Sequence, residues 1–291
     1  MPPQVRTAVI PAAGLGTRLL PFTKAVPKEL APVLDLPAIH YVVKEAMDAC
    51  IQHIAIVTSS GKGALQEYFK PSDEIDRLLR ARGMNTVADE FRQMTERLTF
   101  SYPVQARQLG LGHAVLCARD AVNREPFAVI LPDDLLVSDE PVLAQMLHAW
   151  QSNPGNYVAV EEVPTERISA YGVVDPLPGG QIDSRTYRLR GMVEKPPAGT
   201  APSNLGIVGR YILMPEVFDA LAETRPGAIG EIQLTDGIAR AMAHTPLFAY
   251  RYQADRYDCG TPLGLLHASL SLALRRADTA EEVRRWLRDL E

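Results

Sequence analysis

The chain has 291 residues, of which 46% are hydrophobic and 22% are charged. These fractions are typical of a folded globular protein, and they exclude a disordered chain, a collagen-like chain and a disulfide miniprotein. The formal net charge of −5 argues against a broad basic face, so we expect no nucleic-acid partner. An anionic ligand would need a local cluster of lysine and arginine side chains.

The cysteines and the apolar runs of the sequence bear on where the protein is located in the cell. The three cysteines, Cys50, Cys117 and Cys259, are widely spaced and form no C-x-x-C pair, which argues against a disulfide framework or a cysteine zinc site. No apolar run approaches the ~20 residues of a membrane span, and residues 1–7 do not resemble a signal peptide. We therefore expect a cytoplasmic protein with reduced thiols and no membrane partner.

Short apolar runs alternate with amphipathic segments through the first half of the chain. The predicted elements are strands at Val5–Pro11, His53–Thr58 and Phe127–Leu131 and helices at Ala38–Cys50 and Gly61–Phe69. Cys50 falls on the apolar face of the first helix by its spacing. This alternation predicts an α/β fold with a Rossmann-like, mostly parallel sheet flanked by helices. Ligands of such sheets bind beyond the carboxyl ends of the strands.

The second half has a different pattern. Residues 72–97 are rich in Asp, Glu and Arg, which predicts an exposed helical insertion. The chain then becomes strand-rich, with predicted strands at Tyr157–Val163, Tyr171–Asp175, Tyr187–Glu194 and Ile207–Leu213. Pro178-Gly179-Gly180 predicts a turn between the second and third of these strands, and the chain is predicted to be helical from Pro262. We expect one domain over residues 1–291.

A glycine-containing loop with several cations follows the first predicted strand. It reads Ala-Ala-Gly-Leu-Gly-Thr-Arg over residues 12–18, and Lys24 and Lys28 come soon after. Glycines let backbone N–H groups approach phosphate oxygens, and the cations add the charge that the overall composition lacks. The loop has no Walker frame, and Leu19 stands where a dinucleotide fingerprint needs glycine. The pattern therefore predicts a phosphate-binding loop of another kind.

This loop, with Pro27-Lys28-Glu29-Leu30, resembles the nucleotide-binding loop of the sugar-phosphate nucleotidyltransferases. Further motifs are similar to the bacterial UTP–glucose-1-phosphate uridylyltransferases and occur in order at residues 110–115, 131–134, 170–175, 193–196, 201–204, 209–211, 231–236 and 257–260. The resemblance covers Val5 to about Leu265, although the segment before Gly110 looks a few residues short. The tail after Leu265 carries no such motif.

The resemblance implies an activity and a setting. UTP and glucose 1-phosphate would give UDP-glucose and pyrophosphate, by Mg²⁺-assisted in-line attack on the α-phosphorus. A role in nucleotide-sugar biosynthesis and a homodimeric or homotetrameric assembly are implied as well. The same resemblance divides the chain into a nucleotide-binding part at residues 5–150, a sugar-binding part at 151–261 and C-terminal helices at 262–291.

The resemblance also implies which residues bind the nucleotide. Arg18 would hold the triphosphate and stabilise the leaving pyrophosphate, and Lys28 would contact phosphate. The other implied nucleotide-binding residues are Ala12, Ala13 and Gly14 through the backbone, Glu29 and Gln108 at the uracil edge, and Gly110 against the base. Gln105 stays an alternative to Gln108, because the segment before Gly110 is shortened.

Asp133 and Asp258 are the implied magnesium ligands. Mg²⁺ prefers hard oxygen ligands and commonly takes one or two carboxylates together with substrate phosphates and water. Asp134 neighbours Asp133, and in an extended segment adjacent side chains point to opposite sides. We therefore expect one carboxylate of this pair to bind metal.

The motif Val-Glu-Lys-Pro at residues 193–196 is implied to bind the sugar phosphate. Glu194 would accept hydrogen bonds from sugar hydroxyls, and Lys195 would neutralise the phosphate of the attacking group. Gly172 would let the sugar approach the backbone closely. Lys195 is thereby counted with Arg18 and Lys28 among the catalytic residues.

Two alternatives remain open. The same chemistry could act on another nucleotide or sugar, for example dTTP, because contacts to the ribose and to the base 5-position are not visible in a sequence. A catalytically inactive regulatory homologue is the second alternative, and the retention of Arg18, Lys195, Asp133 and Asp258 argues against it. His113 is interpreted as structural, because transfer from an ionised phosphate needs no general base.

Overall fold

A computed structural model describes residues 4–226 and 230–290. Its strands are β1 (Thr7–Pro11), β2 (Pro32–Val33), β3 (Leu36–Pro37), β4 (His53–Val57), β5 (Thr99–Ser101), β6 (Phe127–Ile130), β7 (Asp134–Val137), β8 (Asn156–Glu162), β9 (Gly172–Gln181), β10 (Thr186–Glu194), β11 (Leu205–Leu213), β12 (Leu247–Arg251) and β13 (Asp255–Asp258). Its helices are α1 (Ala38–Asp48), α2 (Gly63–Tyr68), α3 (Asp73–Ala81), α4 (Asn85–Arg97), α5 (Leu111–Leu116), α6 (Arg119–Val122), α7 (Val142–Ser152), α8 (Glu216–Glu223), α9 (Leu234–Ala241), α10 (Pro262–Arg275) and α11 (Ala280–Asp289).

Within the described residues, the strands form one nine-stranded sheet and two short ribbons. The order of the large sheet is β5-β4-β1-β6-β11-β8-β12-β10-β9. The α/β class predicted from the sequence is confirmed, and β5, β4, β1 and β6 pair in parallel as expected. Beyond β6 the sheet is mixed, because β11 lies antiparallel between β6 and β8. Parallel pairing therefore predominates among the first-half strands, and β8 with β12 is a further parallel pair beyond them.

Apolar side chains cover both faces of the sheet. On β1, Ile10 packs in a cluster with residues of α1 and α7, whereas Val9 packs on the other side with residues of α5, α8 and α9. Successive side chains of a strand point to opposite faces, so a strand buried on both sides needs a continuous apolar run. This explains why the first strands were visible in the sequence.

Two local predictions were wrong. Cys50 was expected on the apolar face of the first helix, but α1 ends at Asp48 and Cys50 is exposed in the left-handed region with φ of 64°. Residues 178–180 were expected to form a turn, but they lie within β9, where the pairing with β10 shifts register. The chain reverses a few residues later, where Asp183 Oδ1 accepts the N–H groups of Arg185 and Thr186 at 2.8 Å each. A side chain that holds its own turn in this way overrides the glycine pattern.

The predicted helical insertion consists of α3 and α4. None of the residues of α3 is buried. Ion pairs connect the two helices, with Arg80 bonded to Asp76 and Asp89 and Arg92 bonded to Asp76. The charged composition therefore reflects an exposed pair of helices beside the main sheet.

The C-terminal helices also follow the prediction. The hydroxyl of Thr261 caps α10 by accepting the N–H of Gly264 at 3.1 Å, and Pro262 occupies the first turn, where its missing N–H costs nothing. Among the helices described, none combines the length and the apolar character that crossing a membrane requires.

Candidate active site

The candidate site lies where β1 and β6 end. The glycine-containing loop follows β1, and Asp133 comes shortly after β6. The ribbon of β7 and β13 places Asp258 opposite Asp134, and the N–H of Cys259 donates to the carbonyl oxygen of Asp133 at 2.7 Å. This ribbon explains how two carboxylates far apart in the sequence come to the same edge.

Arg18, Lys28, Asp133 and Asp258, which the family resemblance implied for phosphate and metal binding, form one charged cluster. Lys28 Nζ lies 2.6 Å from Asp133 Oδ2. Arg18 joins the two carboxylates, with Nη2 at 3.5 Å from Asp133 Oδ2 and Nη1 at 3.7 Å from Asp258 Oδ2. The Arg18 side chain is 58% exposed, so its guanidinium remains accessible to a ligand.

The charges of this cluster stabilise one another. Burial favours a higher pKa for Asp133, but the Lys28 ammonium and the Arg18 guanidinium outweigh it and hold the pKa below its ordinary value. Burial would lower the pKa of Lys28, but the Asp133 carboxylate outweighs that effect and raises the pKa. Both side chains are therefore charged at neutral pH.

The donor set fits a divalent metal that also binds a ligand. Asp133 and Asp258 offer hard carboxylate oxygens within reach of the same guanidinium. In residues 4–226 and 230–290 there is no group of three or more His, Cys, Asp or Glu side chains arranged to hold a metal ion. A metal at these two carboxylates would therefore complete its shell with phosphate oxygens and water, as Mg²⁺ commonly does.

Asp134 has a different environment from Asp133. It is 8% exposed, and its carboxylate accepts hydrogen bonds from Arg256 Nε at 2.7 Å and from the N–H of Gly209 at 3.1 Å. Burial raises the pKa of Asp134, although Arg256 opposes this. The two neighbours point to different partners, in keeping with the expectation that a single carboxylate of the pair would bind metal.

Gln108 and Gln105 take different positions. Gln108 Nε2 donates to the carbonyl oxygen of Ala13 at 3.0 Å, so its side chain lies against the loop. Gln105 is buried; its Nε2 donates to the carbonyl oxygen of Gly110 at 3.1 Å and lies 2.9 Å from His113 Nδ1. Gln105 and His113 therefore support the start of α5, and Gln108 is the better placed of the two amides for a nucleotide.

Only glycine fits at position 110. Its φ is 100°, a backbone conformation that favours glycine, and a Cβ atom would lie 2.8 Å from the carbonyl oxygen of Ile232. The segment that contains Ile232 also donates to the chain just before Gly110, through a 2.7 Å bond from its N–H to Leu109 O. The backbone around Gly110 is thus held tightly against the chain that leads into α9.

Glu29 is buried and pairs with a residue that sequence reasoning missed. Lys62, at the start of α2, places its Nζ 3.0 Å from Glu29 Oε2. The same Nζ donates to the carbonyl oxygens of Ala12 at 2.6 Å and Gly14 at 2.8 Å. Burial raises the pKa of Glu29 and lowers that of Lys62, although each charge opposes the shift of the other. Lys62 belongs to no motif, so no local pattern could have found it.

One cavity of about 670 Å³ connects the charged cluster to the predicted sugar-binding residues. Arg18, Asp133 and Asp258 line it together with Gly172, Glu194 and Lys195. Thr235, which sequence reasoning missed, donates from Oγ1 to Glu194 Oε2 at 3.1 Å. Lys195 Nζ lies 3.7 Å from Glu194 Oε1 and the side chain is largely exposed. Its position suits an anion that enters the cavity.

Two further cavities contain none of the predicted site residues. One of about 720 Å³ lies among α2, α3 and α4, and one of about 820 Å³ lies near Arg6 and His53, at the amino ends of β1 and β4. Because ligands of parallel strands bind beyond the carboxyl ends, the cavity at Asp133 is the favoured site.

Known proteins are similar to this chain along nearly its whole length. The family model described as nucleotidyl transferase matches residues 7–274. A UTP–glucose-1-phosphate uridylyltransferase of Staphylococcus haemolyticus is 42% identical over 287 residues, 99% of each chain. One of Bacillus subtilis is 41% identical over 96% of this chain and 95% of its own.

Solved structures of UDP-glucose pyrophosphorylases are also similar to this chain. A UDP-glucose pyrophosphorylase complexed with UDP-glucose superposes with a TM-score of 0.87 at 40% identity, over 94% of this chain and 100% of its own. A UTP-bound UGPase from Acinetobacter baumannii gives a TM-score of 0.88 at 38% identity, over 99% of this chain and 100% of its own. The resemblance inferred from the motifs is confirmed, and the chain belongs to the nucleotidyl transferase family.

Proposed function

We propose that the protein is a UTP–glucose-1-phosphate uridylyltransferase, which forms UDP-glucose and pyrophosphate from UTP and glucose 1-phosphate. The observation that carries this proposal is the cavity that the Arg18 cluster shares with the Glu194–Lys195 pair. The cluster suits a triphosphate, and a carboxylate beside a cation suits the hydroxyls and the phosphate of a sugar phosphate. Relatives with this name, at about 40% identity along nearly the whole chain, support it.

The proposed reaction transfers a uridylyl group and depends on positioning more than on covalent catalysis. An oxygen of the sugar phosphate forms a bond to the α-phosphorus of UTP, and the bond from that phosphorus to the bridging oxygen of pyrophosphate breaks. Arg18 and Lys28 bind the phosphates and stabilise the charge that develops on pyrophosphate. Lys195 holds the attacking phosphate, which is already ionised and gives up no proton.

Enzymes of this family generally use a divalent metal. We propose Mg²⁺, with Asp133 and Asp258 as its protein ligands, because both offer carboxylate oxygens at the phosphate-binding edge. When bound, Mg²⁺ supplies neutralisation of the negative charge on the triphosphate. The remaining nucleotide contacts are proposed for the backbone of residues 12–14, Glu29, Gln108 and Gly110.

The sugar side of the cavity gives a specific prediction. A Cβ atom on Gly172 would lie 3.1 Å from Glu194 Oε2 and 3.2 Å from both Ile207 Cδ1 and Thr235 Cγ2. Gly172→Ala therefore displaces the Glu194 carboxylate by a few tenths of an ångström. We expect the KM for glucose 1-phosphate to rise about tenfold, because small misplacements in a site are costly, and the KM for UTP to stay within about twofold.

Steady-state kinetics with each substrate varied in turn measures both constants. Gly191→Ala is the matched control, since the nearest atom to its Cβ would be Asp175 Cβ at 3.9 Å, an ordinary contact. Equal changes in both KM values for Gly172→Ala would argue against a sugar-specific role of this position.

Pyrophosphate release from the purified protein tests the proposed function. We expect rapid release with UTP, glucose 1-phosphate and Mg²⁺, and none with EDTA or when galactose 1-phosphate or ATP replaces one substrate. Release with dTTP in place of UTP would assign the same fold and catalytic residues to thymidylyl transfer. No release with any pair would favour a regulatory homologue, and nucleotide-sugar binding would then be measured.

The wider setting is proposed on the same basis. The large sheet takes strands from both halves of the chain, which supports a single domain with a nucleotide-binding part at 5–150 and a sugar-binding part at 151–261. The three free cysteines support a cytoplasmic location. A homodimer or homotetramer and a role in nucleotide-sugar biosynthesis complete the proposal, and light scattering would measure the assembly.

A further inference from the structure

We propose that Lys62 is a positioning residue for the nucleotide, which fixes the backbone of residues 12–14 without touching the ligand. The inference rests on the proposed function, because it assigns a task to the same nucleotide-binding loop. Lys62 is 50 residues from Ala12 and 48 residues from Gly14 in the sequence, and the motifs that define the loop do not include it.

The ammonium group of Lys62 is saturated by the protein. Its side chain is 12% exposed, and that of Glu29 is fully buried. A lysine ammonium has three N–H donors. Ala12 O at 2.6 Å, Gly14 O at 2.8 Å and Glu29 Oε2 at 3.0 Å account for all three. No donor is left for a phosphate, which distinguishes Lys62 from the phosphate-binding role proposed for Lys28.

These bonds determine where the loop amides point. In a trans peptide the carbonyl and the following N–H point in opposite directions. Because Ala12 O and Gly14 O face Lys62, the N–H groups of Ala13 and Leu15 face away from it. Within the described part of the chain, neither of these N–H groups has an acceptor. They are therefore available to an anionic ligand.

The carbonyl group of Ala13, between those of Ala12 and Gly14, is held by a different residue. Gln108 Nε2 donates to Ala13 O at 3.0 Å, so that the N–H of Gly14 points away from Gln108. Lys62 and Gln108 thus hold three successive carbonyl groups. Without Lys62, Gly14 would let the peptides on either side of it rotate, and the nucleotide would have to order them on binding.

Lys62→Met tests this role. We expect the KM for UTP to rise about 10- to 100-fold, a range typical of residues that orient a binding group, with the KM for glucose 1-phosphate within about twofold. The Kd for UTP, measured by calorimetry, should rise by the same factor. Lys70→Met is the matched control, because Lys70 lies just beyond the other end of α2 in an exposed ion pair with Glu67.

A second variant distinguishes a loss of nucleotide positioning from a loss of the fold. Lys62→Arg keeps a positive charge beside Glu29, but a planar guanidinium cannot direct its donors at three oxygens around a single nitrogen position. We expect the same selective loss of UTP affinity, with a smaller drop in melting temperature than in Lys62→Met, which leaves the buried Glu29 carboxylate without a cation.

Three results are decisive. Unchanged UTP affinity in both variants would overturn the inference. A uniform loss, with both KM values raised and the melting temperature lowered in proportion, would overturn it too, since that is the effect of a merely structural lysine. Calorimetry needs no turnover, so weaker UTP binding by the variants of an inactive wild type would support the inference while refuting the proposed function.

Discussion

Replacing Asp133 with asparagine should lower kcat by at least about 10³-fold and leave the melting temperature nearly unchanged. The variant keeps the size of the side chain but loses the carboxylate that is proposed to bind metal. The fold should tolerate the change, because the Asp133 side chain faces the cavity and is 22% exposed. Lys28, its partner at 2.6 Å, can still donate to the amide oxygen of the asparagine.

The adjacent residue provides the control. Asp134→Asn breaks the pair with Arg256, whose guanidinium keeps its bond to Glu161 Oε1 at 2.6 Å. We expect a loss of about 3 kcal/mol in the free energy of unfolding, at the lower end for a broken buried pair. Denaturant unfolding and kcat should be measured on both variants. An active Asp133→Asn enzyme, or one as destabilised as Asp134→Asn, would contradict the assignment.

Replacing Arg210 with methionine should destabilise the fold by about 3–5 kcal/mol. Arg210 is fully buried on β11, and its Nη2 lies 2.7 Å from Glu45 Oε2 on α1. It also donates to the carbonyl oxygens of Leu131 at 3.3 Å and Asp134 at 2.8 Å. The variant leaves the Glu45 carboxylate buried without a cation. The melting temperature should fall by roughly 10 °C in a chain of this size.

An exposed ion pair, Arg240 with Glu223, provides the control for the buried pair of Arg210. Arg240→Met removes an exposed ion pair with Glu223, and we expect a change within about 0.5 kcal/mol. Adding Glu45→Leu to Arg210→Met should recover part of the loss, because two apolar side chains leave no buried charge. If Arg210→Met unfolded like Arg240→Met in a thermal scan, the buried pair would not support the loop that carries Asp133.

Features that are local in the sequence were predicted well. The apolar runs of β1, β4 and β6 locate these strands to within a few residues, because a strand buried on both faces needs a continuous run. The loop at residues 12–18 was visible for a similar reason, since its glycines and cations are close together in the chain. The resemblance implied phosphate contacts for Arg18 and Lys28 and metal binding for Asp133, and the structure places these three side chains together.

Features that depend on distant contacts could not be predicted. Nothing local indicates that β11 lies between β6 and β8, so the strand order of the sheet could not be predicted. Lys62 and Thr235 gain their roles only when the fold brings them to Glu29 and Glu194. The sequence around Arg210 does not indicate that this arginine is buried. Its burial depends on the charged partner that α1 supplies.

Isotopic labelling tests the central claim most directly. Glucose 1-phosphate whose phosphate oxygens carry ¹⁸O is incubated with UTP, Mg²⁺ and the enzyme, and both products are analysed by mass spectrometry. Attack by the sugar phosphate on the α-phosphorus of UTP predicts that all of the label is found in UDP-glucose and none in pyrophosphate. Label in pyrophosphate, or no UDP-glucose at all, would contradict the account.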